Sequence, residues 1–312
     1  MDSPRKDYNA TMASHIENFK ELERPIIFIG NPRSGTTIIS EIVMRHKDIG
    51  YPSQYQNAFP RSTTVNYLRR VFDNKYWRIF GQKKQLNKVN PFNRFVFRTG
   101  ENYTMWKAIV GPGIDFDRDF LHDKREQPEY VRKIRKFFSK IVRNQGKKRL
   151  AFKITGPSRL EYLNSIFPDA QYVRIHRKAI PTVSSLMKID FWPDRGEKRL
   201  WWTGPYTQEE LDWAEKHKDD PIALTAFQIK KVSDVTDEEV RKLNVDVLDV
   251  QYIDFVRNPE EVIKQILDHT HLSYDDACLD YMKRNKIFNR NKKDEDYFPT
   301  KDLETIRQIY PA

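Results

Sequence analysis

Between Pro25 and Gly30 the chain reads PIIFIG, an unbroken apolar run closed by a glycine. It is too short for a helix and lacks polar alternation, as expected of a strand buried on both faces. The next segment, GTTIISEIVMRH, sets Ile38, Ile39, Ile42 and Val43 on one helical face, so strand, glycine turn and helix follow one another. The alternation then repeats. Residues 147–154 predict a second buried strand, and PSRLEYLNSIF (157–167) a helix with Pro157 at its start. AQYVRIHR (170–177) reads as a third strand, and AIPTVSSLMKI (179–189) as a helix with Pro181 in its first turn. NVDVLDVQYIDF and NPEEVIKQILDHT add one more strand and helix. The pattern predicts a single α/β domain, a mainly parallel sheet flanked by helices with a P-loop-like entry.

The pattern weakens in three places. Residues 1–23 are polar and predict a lead-in to a domain spanning 24–312. Residues 51–149 are aromatic-rich and less regular, and predict a helical insertion that helps build an acceptor pocket. Within it, Val131, Ile134, Phe138 and Ile141 recur at helical spacing inside a run with 11 basic residues in 26, which predicts a helix with a solvated basic face. Residues 190–215 hold Phe191, Trp192, Trp201, Trp202, Tyr206 and Trp213, which predict either an aromatic acceptor wall or a loop packed on the core.

Composition narrows the classes. No run approaches the ~18 apolar residues of a membrane span, and the amino terminus lacks the apolar stretch of a signal peptide. The lone Cys278 excludes an intrachain disulfide and a cysteine-based metal site, which predicts a reducing, cytoplasmic setting. The net charge of +11 favours anionic ligands. No basic-aromatic motif or zinc spacing accompanies it, so nucleic acid is not the expected partner.

The candidate chemistry lies in FIGNPRSGTT, Phe28 to Thr37. Gly30 and Gly35 stand at P-loop spacing, but the lysine position holds Thr36, and a cation, Arg33, sits mid-loop. Backbone amides and a helix start still favour an anion. Without the lysine, the loop suits a compact anion with less charge than a triphosphate.

PRSGTT resembles the 5′-phosphosulfate loop of sulfotransferases that use 3′-phosphoadenosine 5′-phosphosulfate (PAPS). Three further elements extend the resemblance over most of residues 24–310. VRIHRKAIPTVSSL supplies Arg177 with Ser185 eight residues on, as in the family's 3′-phosphate motif. Lys153 lies 24 residues before Arg177, where cytosolic members carry a strand lysine. FPDAQYVRIHR and YIDFVRNPEEVIKQIL are similar to segments of bacterial and tyrosylprotein members.

The resemblance implies sulfuryl transfer from PAPS to a hydroxyl or amine of a small-molecule or glycan acceptor, without a metal. It assigns Arg33 and Lys153 as catalytic cations, and Ser34, Gly35, Thr36 and Thr37 to the 5′-phosphate. Arg177 and Ser185 fall to the 3′-phosphate, with Arg290, Lys292 and Lys293 as a basic loop that lacks the family's glycine. Lys153 as a strand-end ion pair and Ser185 as a self-bonded helix hydroxyl are the bland alternatives.

The base departs from the family pattern. The histidine position of cytosolic members holds Thr155, and the glutamate position of tyrosylprotein members holds Gln54; neither takes a proton at neutral pH. Glu101 is the first substitute and His122 the second. His176 is disfavoured because it alternates with Arg177 on a strand. An already nucleophilic acceptor, needing no base, stays open. Arg159 faces either the ligands or a structural ion pair. Two rival functions remain at this level, a P-loop kinase and a non-catalytic module binding bisphosphoadenosine or nucleic acid.

Overall fold

In the computed structural model, the described residues are 22–76, 78–80, 96–284, 287, 289 and 291–311. Residues 1–21 of the expected lead-in lie outside them. Five strands form one sheet: β1 (Ile26–Gly30), β2 (Ile49–Gly50), β3 (Arg149–Lys153), β4 (Gln171–His176) and β5 (Asp246–Gln251). Their order is β2-β3-β1-β4-β5 and every pairing is parallel. The short β2 has no counterpart in the sequence pattern, because two residues carry no period.

Strand alternation divides the core. Ile27 and Ile29 of β1 join Leu150, Phe152 and Tyr172 on one face of the sheet. That face is covered by a helix, α2 below, through Val131, Ile134 and Phe138. Ile26 and Phe28 join Ala151, Val173 and Ile175 on the other face, covered by Ile39, Ile42, Ile263 and Ile266. The main helices are α1 (Thr36–Val43), α2 (Pro128–Asn144), α3 (Leu160–Ile166), α4 (Ala179–Met187), α5 (Pro221–Leu243), α6 (Pro259–His269) and α7 (Thr300–Ile309). Cys278 is buried in the second of these clusters, and burial pushes its thiol up to about 12.

Three details differ from the sequence pattern. The last strand ends at Gln251, and Tyr252–Phe255, expected to continue it, open a short helix that runs to Arg257. The helix expected from Pro157 begins at Leu160, because Arg159 takes a left-handed conformation (φ 55°) ahead of it. Its leading amides, those of Leu160 and Glu161, donate to the Glu239 carboxylate of α5 at 3.1 and 3.3 Å, so a distant residue caps the helix. The 23-residue α5 itself was not anticipated; it packs against α4 and α7 in a third cluster with Trp192 and Trp202. No described helix is long and apolar enough to cross a membrane.

Candidate functional site

The carboxyl ends of β3, β1 and β4 lie side by side, since Phe28 pairs with Lys153 and Gly30 with Ile175. This is where ligands bind in open parallel sheets. The loop from Gly30 to α1 occupies the middle. Gly35 caps α1 at φ 98°, and a Cβ there would stand 2.3 Å from the Tyr252 ring, so both conformation and packing demand glycine. The amides of Ile38 and Ile39 both reach the Gly35 carbonyl, which leaves those of Gly35, Thr36 and Thr37 ahead of the helical ladder. Ser34 Oγ and Thr36 Oγ1, both buried, bond each other at 2.8 Å.

On the β4 side, Arg33 Nε donates to Ser185 Oγ at 2.9 Å. Arg177 donates to the Arg33 carbonyl (2.9 Å) and to Asn291 Oδ1 (3.0 Å), and its guanidinium lies 5.1 Å from the Tyr252 ring centre. Arg33, Arg177 and Ser185 therefore form one connected cluster against the loop. The group is cationic and rich in donors, and its chemistry fits a phosphorylated anion.

On the β3 side, Lys153 is fully buried. Its Nζ donates to Thr37 Oγ1 at 3.1 Å and to Glu101 Oε1 at 2.9 Å. Thr155 Oγ1 donates to the same Glu101 oxygen at 2.7 Å. The Glu101 side chain is about a quarter exposed, so the carboxylate sits between a buried cation and solvent. Long-range contacts hold it there. Ser53 bridges Thr99 antiparallel, the Gln54 amide donates to the Arg98 carbonyl (3.0 Å), and Asn102 Nδ2 donates to the Pro52 carbonyl (2.8 Å). Tyr103 Oη donates to the Thr155 carbonyl at 2.9 Å. Burial, and then the Glu101 charge, push the Tyr103 phenol well above its ordinary value, which keeps it a donor.

The other sequence candidates separate. His122 contacts Asp123 (3.0 Å) and Glu238 (3.4 Å). His176 bonds Asp249 at 2.6 Å together with Arg174, on the strand face away from Arg177. Arg159 is a brace: it donates to the carbonyls of Asp117, Asp119 and Pro157 and lies over Phe116. Its partners are backbone carbonyls rather than the carboxylate of an ion pair. Arg290 lies outside the described residues; Lys292 and Lys293 are exposed, and the Lys292 amide donates to Tyr297 Oη.

The aromatic stretch divides as well. Trp192 and Trp202 are core, with Trp202 lying against Gly156, whereas Trp213 is stacked between His217 and Phe227. A cavity of about 620 Å³ beside Trp213, Phe227, Lys231 and Ile309 is lined by none of the residues from Gly30 to Thr37. The sequence reading gave no site role to Tyr252 or Asn291. Tyr252 stands in YIDFVRNPEE, a segment singled out for resemblance, but its contact with Gly35 depends on β5 reaching the loop; Asn291 had no local signal.

Comparison with known proteins supplies the context for this geometry. Residues 25–276 match the family described as "Sulfotransferase family". Among solved structures, sulfotransferase STF9 from Mycobacterium avium is similar with a TM-score of 0.56. It shares 17% identity over 96% of this chain and 79% of that one. Sulfotransferase STF1 from Mycobacterium tuberculosis H37Rv gives 0.50 at 16% identity, over 96% and 81%. At such identities these likenesses concern the fold. No curated protein sequence matches the chain significantly.

Proposed function

The chain belongs to the sulfotransferase family, and from that premise we propose that it moves a sulfuryl group from PAPS to a hydroxyl or amine of a small-molecule or glycan acceptor, releasing 3′,5′-bisphosphoadenosine. The observation that carries this reading is Lys153, which joins the loop hydroxyl of Thr37 to the Glu101 carboxylate. One buried cation thus touches both the anion loop and the candidate base.

PAPS supplies the activated sulfuryl group. Ser34, Gly35, Thr36 and Thr37 receive the 5′-phosphate through amides and hydroxyls at the start of α1. Arg177 and Ser185 receive the 3′-phosphate, with Lys292 and Arg290 closing that end. Arg33 and Lys153 offset negative charge growing on the leaving oxygen. Glu101 accepts the acceptor's proton as the new bond to sulfur forms, with Thr155 and Lys153 fixing its orientation. The insertion at 51–149 forms the acceptor side around Glu101, and the setting is cytoplasmic.

A thermal shift with 3′,5′-bisphosphoadenosine, AMP and Mg-ATP tests the donor assignment. Ligand at 100 times its dissociation constant adds about 2.7 kcal/mol of stability. The bisphosphate is expected to stabilise and Mg-ATP to do nothing. Stabilisation by Mg-ATP alone would overturn the reading in favour of a kinase. Bisphosphate binding without its release from PAPS, across sugar, phenol and amine acceptors, would favour a silent binding module.

A further inference from the structure

From Phe59 to Ile79 the usual placement of polar and apolar side chains is reversed. The 3-10 turn Thr64–Leu68 and the helical turn Arg69–Phe72 bury Asn66 and Arg69, which are 0% and 1% exposed. The same turns direct Tyr67, Leu68 and Val71 outward, at 51%, 53% and 55%. Phe59 and Tyr76 extend the apolar surface. Six of the nine large hydrophobic side chains exposed among the described residues fall in this stretch. Single exposed apolar residues are ordinary, but a concentration of this kind marks an interaction surface.

The inward side explains why the segment does not turn over. Asn66 donates to Gln56 Oε1 (2.8 Å) and accepts from Gln145 Nε2 (2.7 Å). Arg69 pairs with Asp73 (3.0 Å), which also takes Lys147 Nζ (2.6 Å), and the Arg69 guanidinium lies 4.2 Å from the Tyr51 ring centre. Exposing Tyr67, Leu68 and Val71 is the consequence of keeping this satisfied polar network in the interior.

The rim has one sign of charge. From Phe59 to Ile79 the sequence holds five Lys and Arg against a single acid, Asp73, and that acid is buried. Arg61, Arg70 and Lys75 are exposed beside the apolar side chains; Arg70 lies over the Tyr67 ring and Lys75 over that of Tyr76. Arg70 also donates to the carbonyls of Arg143 and Asn144, which joins the patch to the exposed Lys136, Lys140 and Arg143 of α2.

We propose that this face docks the protein on an anionic lipid surface. Tyr67, Leu68, Val71 and Tyr76 enter the boundary between headgroups and acyl chains, while Arg61, Arg70, Lys75 and the basic face of α2 meet headgroup charge. A second copy related by a twofold axis would bring the cationic rim against itself. A nucleic acid would match the charge but gain nothing from Leu68 and Val71.

The test is co-sedimentation of the full chain with phosphatidylcholine vesicles, alone or mixed with phosphatidylglycerol, over a salt series. Binding is expected to the mixed vesicles, to weaken with salt, and to fall roughly tenfold in the double variant Leu68→Asn, Val71→Asn. Those side chains are exposed, so the melting temperature should not move, and the variant reports docking rather than folding. Equal binding by variant and wild type would reduce the effect to net charge and overturn the proposal, as would no sedimentation with anionic vesicles. A dimer in ultracentrifugation that the same variant dissolves would assign the face to a second copy instead.

Discussion

Arg33, Arg177 and Ser185 meet through segments that each continue directly from a strand of the sheet, whereas Glu101 reaches Lys153 from an insertion far along the chain. On the first side, the parallel register of β1 and β4 brings the loop and Arg177 together. On the second, placement rests on an isolated bridge at Ser53–Thr99, on hydrogen bonds at Gln54–Arg98, Asn102–Pro52 and Tyr103–Thr155, and on Met105 and Trp106 buried in the core. The side with Arg33, Arg177 and Ser185 thus inherits rigidity from the sheet. The Glu101 side also uses side-chain bonds, from Asn102 and Tyr103, that substitution can remove one at a time.

The largest expected effect separates chemistry from binding. Glu101→Gln keeps the shape and the bonds from Lys153 and Thr155 but removes proton acceptance. Turnover should drop about 10²–10⁴-fold, as for loss of a general base. Bisphosphoadenosine affinity, measured by calorimetry, should be unchanged. A wild-type rate would remove Glu101 from the mechanism and return the question to an acceptor that needs no base.

On the opposite side, Arg177→Ala should weaken bisphosphoadenosine binding by about 2 kcal/mol, the size of a lost charge-assisted contact. The Glu101→Gln variant should show no such loss. If the two variants affected affinity alike, the sides would not be separable as drawn.

A smaller effect tests how the insertion is held. Asn102 is buried at φ 56°, in the left-handed region, and its side chain anchors the residue after Glu101 to Pro52. Asn102→Ala should cost about 1–2 kcal/mol in urea unfolding, through the lost bond and the strained backbone. It should also lower kcat by displacing the carboxylate. Asn102→Gly should restore the backbone but not the kcat; recovery of both would mean that the bond to Pro52 positions nothing.

The same division decided what could be read from the chain. The loop was legible from its glycine spacing after an apolar run, and Arg177 and Ser185 from the resemblance of VRIHRKAIPTVSSL to a family motif with a fixed eight-residue spacing. The helix at Leu160 was misplaced because its cap, Glu239, lies 79 residues away from the amide of Leu160. With Thr155 and Gln54 unable to serve as base, Glu101 was reached through its resemblance to an acidic residue of other members in a comparable segment, and nothing local shows that Thr155 would bond it. Tyr252 and Asn291 were missed for the same reason: their partners come from other elements, and no period or spacing encodes a contact across the sheet. The inverted polarity of residues 59–79 also escaped a pattern reading, which assumes that apolar positions face inward.

The smallest effect lies at the far edge of the sheet-built side. Asp249 of β5 bonds Arg174 (2.5 Å) and His176 (2.6 Å) of β4, tying the strand that ends beside Arg177 to its neighbour. Partial burial pushes the Asp249 carboxyl up, but the hydrogen bonds from His176 and Arg174 and their charges outweigh it and hold the group below its ordinary value. A carboxyl depressed in the folded state contributes stability in full above its unfolded value near 3.9, and loses that contribution as pH falls toward the folded one. Asp249 is half exposed, so solvent screening limits the contribution to about 0.5–1 kcal/mol. Asp249→Asn should therefore lower stability by that amount at pH 7, and the gap from wild type should close as unfolding is followed from pH 5 downward. A gap that stayed constant with pH would mean that Asp249 acts by packing rather than charge, and that β4 owes its alignment to the backbone ladder alone.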